Sequence, residues 1–149
     1  MKIFIGSDHN GFHLKEKVFL YLSKQGYDVE DVGDGELDPD DDFPQFAAKA
    51  AIKVLGEDDS RAILLCGGGQ GMAMAANRFS GIRASVIYDA FEAKMTRNDN
   101  DSNVLCLPAR ILEADDEIVW KDVVDTWLKT PFAQAARFVR RNRQLDELS

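Results

Sequence analysis

The residues of this chain best suited to chemistry are a thiol and the glycines that follow it, Cys66-Gly67-Gly68-Gly69-Gln70-Gly71. An apolar run of strand type, Ala62 to Leu65, leads into the cysteine, and a small-residue helix follows to about Asn77. A parallel strand that ends in such a turn leaves backbone N–H groups of the turn and of the first helical residues unpaired. They point into the crevice at the carboxyl end of the strand, where open α/β sheets bind ligands. Glycine keeps side chains out of that space, and the helix dipole adds about half a positive charge. The dipole also favours the thiolate, so the stretch offers a nucleophile or base beside an oxyanion-binding loop. The competing reading of Cys66 is a small hydrophobe buried at a strand end.

Standard glycine motifs do not fit. A dinucleotide GxGxxG starting at Gly67 or Gly69 would need glycine at positions held by Met72 or Met74, and the GK[ST] of a P-loop is absent. Two further clusters could touch a ligand. Ser7-Asp8-His9 follows the apolar run Lys2 to Gly6, with helix capping as the alternative role for Ser7 or Asp8. Arg137 and Arg141 are four apart on a helix expected over 131–147, share one face, and could grip a phosphate together. The alternative there is a solvated basic face.

The elements that would position these groups alternate between strand and helix. Strands are expected at 2–6, 27–32, the run ending at Cys66, 84–87 and 103–107. Helices are expected after Gly11 with Phe12, Val18, Phe19 and Leu22 inward, at 43–55, after the glycines, at 90–97, at 114–129 and from Pro131. Residues 33–42 read as a solvated acidic loop and 98–102 as a polar loop. Five strands alternating with helices imply a three-layer α/β/α sandwich around a five-stranded parallel sheet, Rossmann-like in class. Its 149 residues suit one domain, 1–149.

Composition excludes several classes. A net charge of −8 argues against nonspecific nucleic-acid binding, so an anionic ligand would rely on the local arginine cluster. No apolar run approaches the roughly 18 residues of a membrane span, and the chain opens on a strand with no basic leader, so a cytoplasmic protein is expected. Two cysteines and two histidines fit no zinc spacing, and the acidic loop lacks an EF-hand pattern; no metal is expected.

Taken together, the blocks IGSDHNGF, DFP, LLCGGGQGMAMAANR, GIRASV, NDNDSNVLCLPAR and RFVRR, in this order from the first residue to about Arg143, resemble the ribose 5-phosphate isomerase B family, which includes galactose and allose 6-phosphate isomerases. The resemblance implies interconversion of aldose and ketose phosphates without metal or organic cofactor, in a homodimer or tetramer with active sites between subunits. It makes Cys66 the base that carries a proton between C2 and C1. Asp8 and His9 fall in the family's SDH segment at the site, and Asn100 and Arg110 at substrate-contacting positions, Arg110 across the interface. Gly67, Gly68, Gly69 and Gly71 would bind the enediolate with Asn100. His9, Arg110, Arg137 and Arg141 would hold the phosphate.

Two residues depart from the family's pattern. Most members read CGTGxG, and Gly68 removes the Thr hydroxyl; losing such a donor costs roughly 10²–10³ in rate where it is not replaced. Most read HND, with the His assigned to opening the furanose ring, where this chain has Asp99. Asp99 could serve as the acid if proximity to Asp8 made the two share a proton. Phe43 stands where Tyr is frequent. Ribose 5-phosphate is the default substrate by resemblance. A tetrose 4-phosphate, which forms no such furanose, a hexose 6-phosphate, and a non-catalytic sugar-phosphate-binding subunit are the alternatives.

Overall fold

The computed structural model describes residues 1–33 and 35–148. Strand β1 (Lys2–Ser7) is followed by a 3-10 turn at His9–Gly11 and helix α1 (Phe12–Lys24), then β2 (Asp28–Asp31), α2 (Phe43–Gly56) and β3 (Ser60–Cys66). The chain continues through α3 (Gln70–Ala76), β4 (Ala84–Val86), α4 (Ala90–Asn100), β5 (Val104–Pro108), α5 (Ala109–Leu112), α6 (Glu117–Lys129) and α7 (Ala136–Asp146). All strand pairs are parallel, in the order β2-β1-β3-β5-β4. The three-layer sandwich expected from the strand–helix alternation is the architecture found.

Strand alternation divides the interior into two cores. Ile3, Ile5, Ile63, Leu65, Leu105 and Leu107 face α1 and α6, where Trp120, Val123 and Trp127 complete the layer. Phe4, Ala62, Leu64, Val104 and Cys106 face the opposite side, packing on Phe46, Ala50 and Met72 of α2 and α3. The chain leaves β1 in one direction to form β2 and returns past it to form β3. This reversal opens a crevice between the carboxyl ends of β1 and β3, the switch point at which doubly wound sheets bind ligands.

Local expectations need several corrections. On α1 the fully buried positions are Leu14, Lys15, Val18 and Leu22, while Phe12 and Phe19 are half-buried. Lys15 takes an inward place because its Nζ lies 2.7 Å from Asp31 Oδ2 and over the Phe12 ring, and a paired ammonium can be buried where a lone one cannot. The polar stretch expected as a loop at 98–102 is helical as far as Asn100; Asp101, at φ 47°, turns the chain out of α4. The long helix starts at Glu117, capped by the Asp116 carboxylate, which accepts from Ile118 N–H. The C-terminal helix expected over 131–147 begins only at Ala136. Gln134 has a left-handed φ of 58°, and Ala133 N–H donates to the Asn98 carbonyl at the end of α4, so this segment turns before it coils. Within the acidic loop expected at 33–42, Asp34 lies outside the described residues.

Candidate active site

Cys66 ends β3 with its side chain 6% exposed, and the glycine turn folds back over the sulfur so that Gly69 N–H donates to Sγ at 3.1 Å. The return of the chain depends on Gly69, whose φ of 72° suits glycine and places it immediately before α3. One backbone donor of the expected enediolate-binding set is therefore already committed to the sulfur. Gly71 lies in the first turn of α3, whose N–H groups have no intrahelical acceptors. The Phe43 ring lies against Gly71 and closes that side.

The β1 end of the crevice is built by Asp8. Its carboxylate accepts from Asn10 N–H (3.0 Å) and Gly11 N–H (3.1 Å), and its own N–H donates to the Leu65 carbonyl. The capping role is thus realised, and it binds the His9–Gly11 turn to the strand that carries Cys66. Asp8 is buried, and desolvation raises its pKa above the ordinary carboxylate value against the pull of those backbone donors. His9 is held by Asp41, whose Oδ1 accepts from both its backbone N–H (2.9 Å) and its Nδ1–H (2.8 Å). This hydrogen bond is the main cause of a raised His9 pKa; burial opposes it, and the charges of Asp8 and Asp38 add to it.

Arg110, expected to reach across a subunit interface, lies on its own chain's glycine turn. Its Nη2 is 2.6 Å from where a Cβ on residue 67 would sit, and Asn10 Cβ is 3.6 Å from the same point. The strand register explains this. Cys66 pairs with Pro108, and two residues further on Arg110 N–H donates to the Gly67 carbonyl. Cys66, Gly67–Gly71, Asp8, His9 and Arg110 therefore gather at one end of the sheet.

The remaining expected site residues gather at the other end. Asn100 carbonyl accepts from Arg83 Nε, and Arg83 N–H donates to Asn103 Oδ1, beside the paired first residues of β4 and β5. Asp99 accepts from the neighbouring Asn98 amide. Helix α7 is tied to the same end: Arg83 Nη1 contacts Asp146 Oδ2 at 2.9 Å, and Ser80 hydroxyl donates to the Asp146 carbonyl. Arg137 and Arg141 on it are exposed, the Arg137 guanidinium stacking on Phe138 at 4.4 Å. Ala62 to Cys66 alone spans about 13 Å of strand between the two ends. Asp99 cannot share a proton with Asp8 of its own chain, contrary to the sequence expectation. The carboxylate that does face the first site is Asp41. It was hidden in a run of acidic residues that reads as solvated, and 32 positions separate it from His9.

The second cysteine is distinct in kind. Cys106 is fully buried in the core beside Leu64, and desolvation drives its pKa far above the ordinary thiol value. Alkylation of the folded protein, read by mass spectrometry, is expected to modify one thiol per chain, Cys66, with Cys106 reacting only after denaturation. Modification of native Cys106 would contradict this assignment.

A sequence model described as Ribose/Galactose Isomerase matches residues 3–145. The fold superposes on a ribose 5-phosphate isomerase from Thermotoga maritima with a TM-score of 0.92 and 41% identity, covering 99% of this chain and 98% of that one. It also matches ribose-5-phosphate isomerase B from Mycoplasma genitalium, whose structure has bound ribulose-5-phosphate, with a TM-score of 0.89, 35% identity and coverage of 99% and 97%. A 4-deoxy-4-sulfo-D-erythrose isomerase from Clostridium sp. (strain MSTE9) is 40% identical over 136 residues, 90% of this chain and 82% of the relative. The crevice at the β1/β3 switch point, the thiol within it and these likenesses over nearly the whole length agree: the chain belongs to the ribose/galactose isomerase family and is an aldose–ketose isomerase of the ribose-5-phosphate isomerase B type.

Proposed function

We propose that the chain interconverts an aldose phosphate and its ketose by proton transfer through Cys66, with ribose 5-phosphate and ribulose 5-phosphate as the default pair and no metal or organic cofactor. The observation that carries the proposal is the Gly69 N–H bond to Sγ at the carboxyl end of β3, which holds the sulfur at the ligand crevice beside the first turn of α3. The thiolate removes the proton from C2 of the open-chain aldose. Electrons move into the carbonyl, O1 gains charge as the enediolate forms, and first-turn N–H groups such as that of Gly71 stabilise that charge. The O2 proton passes to O1 as the C2 carbonyl forms, and the thiol returns its proton to C1, a shuttle between adjacent carbons that one group can perform.

Anion-binding residues complete the site from two copies of the chain. His9 and Arg110 stand beside Cys66, whereas Arg137, Arg141, Asp99 and Asn100 stand at the amino end of the sheet. A homodimer, or a tetramer of dimers, that lays the amino end of one copy over the carboxyl end of another brings both sets to one substrate. The phosphate clamp then fixes the reacting carbons over the sulfur.

A second reading concerns the sugar. Residue 99 is Asp, with Asn98 as its neighbour-donor, and carries no imidazole for opening a furanose ring. An erythrose bearing its anion on C4 has no free O4 and needs no such step; the Clostridium relative is named for a substrate of this shape. Initial rates on ribose 5-phosphate and erythrose 4-phosphate, followed by ketose formation, separate the two. A kcat/KM higher for the pentose supports the default pair. A tetrose preference of about ten-fold or more assigns the chain to four-carbon substrates, a discrimination of about 1.4 kcal/mol.

A further inference from the structure

The structure assigns Asp41 as the positioning residue that sets the tautomer and charge of His9, and thereby the pH range over which the site holds its anion. The inference rests on the reading of His9 as an anion-binding residue. One oxygen, Oδ1, takes both the backbone N–H and the Nδ1–H of His9, so the imidazole is fixed at two points. The Asp41 side chain is 9% exposed, while that of His9 remains 32% exposed. The ordered contact is thus on the Asp41 side of the ring, and Nε2 on the other side is left for a ligand.

The chemistry follows from the proton inventory. A carboxylate only accepts, so the Nδ1 proton is committed to Asp41. In the neutral ring with that tautomer Nε2 is a bare acceptor and repels an anionic oxygen. It donates only in the imidazolium. Asp41 therefore makes anion binding at His9 strictly dependent on the charged form, and the same carboxylate stabilises that form. The charges acting on the ring are Asp8 on its own turn and Asp38 and Asp41 from the loop before α2; α1, which carries His13, and α5, which carries Arg110, pack against the turn. The acidic neighbours hold the imidazolium to higher pH, whereas burial opposes it.

Asp41→Asn tests this. The His9 backbone N–H keeps the amide oxygen turned toward the ring, so the tautomer is retained while the charge is removed. With only two histidines in the chain, proton–carbon NMR of the imidazoles, assigned with His9→Gln, reads the His9 titration directly and needs no activity. The expected result is His9 losing its proton at lower pH in Asp41→Asn than in the wild type, with His13 unmoved. In the isomerase assay KM should agree between the two proteins at a pH below both His9 titrations, where both rings are charged. At a pH between the two titrations it should be higher in the variant by on the order of ten-fold, the effect of losing one charge-assisted hydrogen bond, with kcat changed little. Asp41→Glu, which restores the carboxylate, should recover part of the wild-type titration. An unshifted His9 titration overturns the inference whether or not the protein is an isomerase. A shifted titration with KM equal at both pH values overturns it as well, since Asp41 would then order a ring that does not hold the anion. A KM raised equally at both pH values marks a merely structural role and also overturns it. If the wild type isomerises none of the sugars, the reading it rests on fails, and the NMR titration still decides what Asp41 does to His9.

Discussion

Cys66→Ala is expected to lower kcat by about 10²–10⁴-fold, the range that a positioned acid–base group contributes, with KM changed by only a few-fold. Under the proposed function the substrate's anion is held by His9 and the arginines rather than by the sulfur, so binding should survive the loss of the thiol. Among the described residues, neither the second thiol nor the nearby carboxylate is placed to take over. Cys106 points into the core with its pKa raised by burial, and the Asp8 carboxylate is occupied in capping the His9–Gly11 turn. Cys66→Ser separates chemistry from packing. It keeps the size and a hydrogen-bond acceptor for Gly69 N–H, yet a hydroxyl is far less acidic than a thiol, so kcat should fall nearly as far while thermal stability stays close to wild type. Steady-state kinetics together with thermal melts checks this. A kcat within ten-fold of wild type in either variant would remove Cys66 from the role of base.

The second large effect is one of complementation. Arg137→Ala or Arg141→Ala should reduce kcat/KM by about 10²-fold, the scale of losing a charge-assisted phosphate contact. Each of these homodimers is then nearly inactive, as is Cys66→Ala. When Cys66→Ala and Arg141→Ala subunits are unfolded, mixed and refolded, a heterodimer contains one site with both defects and one with neither. Statistical pairing in a closed two-fold dimer should restore roughly a quarter of wild-type activity. Arg110 supplies the control. It lies on the same glycine turn as Cys66, so Cys66→Ala mixed with Arg110→Ala should restore nothing. Recovery in the Arg110 mixture, or its absence in the Arg141 mixture, would contradict the two-copy site.

Much of this was legible from the sequence because the determinants are local. The apolar run into Cys66, the glycines after it and the capping chemistry of Asp8 each specify structure within a few residues. Alternation of strands and helices then implies a parallel sheet, since consecutive parallel strands require a crossover. The positions read less well depend on which strands become neighbours. Arg110 reaches Gly67 because β5 pairs with β3 rather than with β4 alone, and nothing near Arg110 encodes that order. Asp41 meets His9 for the same reason, from a loop whose composition reads as solvated. The separation of Asp99, Asn100, Arg137 and Arg141 from Cys66 is different, because part of it follows from rules available in advance. In a parallel sheet the segments that run from helix to strand lie at the amino end, and Asn98–Asn103 is such a segment. Lys15 was missed because periodicity marks apolar positions, whereas its burial is secured by a partner on β2.

The departures at Gly68 and Asp99 bear on the sugar rather than on the base. Removal of a hydroxyl at residue 68 leaves backbone donors as the main support for the enediolate. Under the proposed two-copy site, residue 99 brings an Asp side chain beside Asn98 to the substrate rather than an imidazole. The change at residue 99 matters least for an open-chain aldose, whereas that at residue 68 acts on the enediolate of any aldose. The rate comparison under the proposed function therefore reports on residue 99 as much as on substrate length.

The most direct measurement is proton NMR of the purified protein in D₂O with ribose 5-phosphate and, separately, erythrose 4-phosphate, wild type beside Cys66→Ala. Isomerisation through a thiol that exchanges with solvent should place deuterium on the carbon next to the carbonyl as the ketose forms, with wild type and not with Cys66→Ala. Ketose formation and deuterium uptake that persist undiminished in Cys66→Ala would contradict Cys66 as the base. Saturable binding of both sugars by the wild type, with neither turnover nor exchange, would contradict the proposed reaction on these substrates.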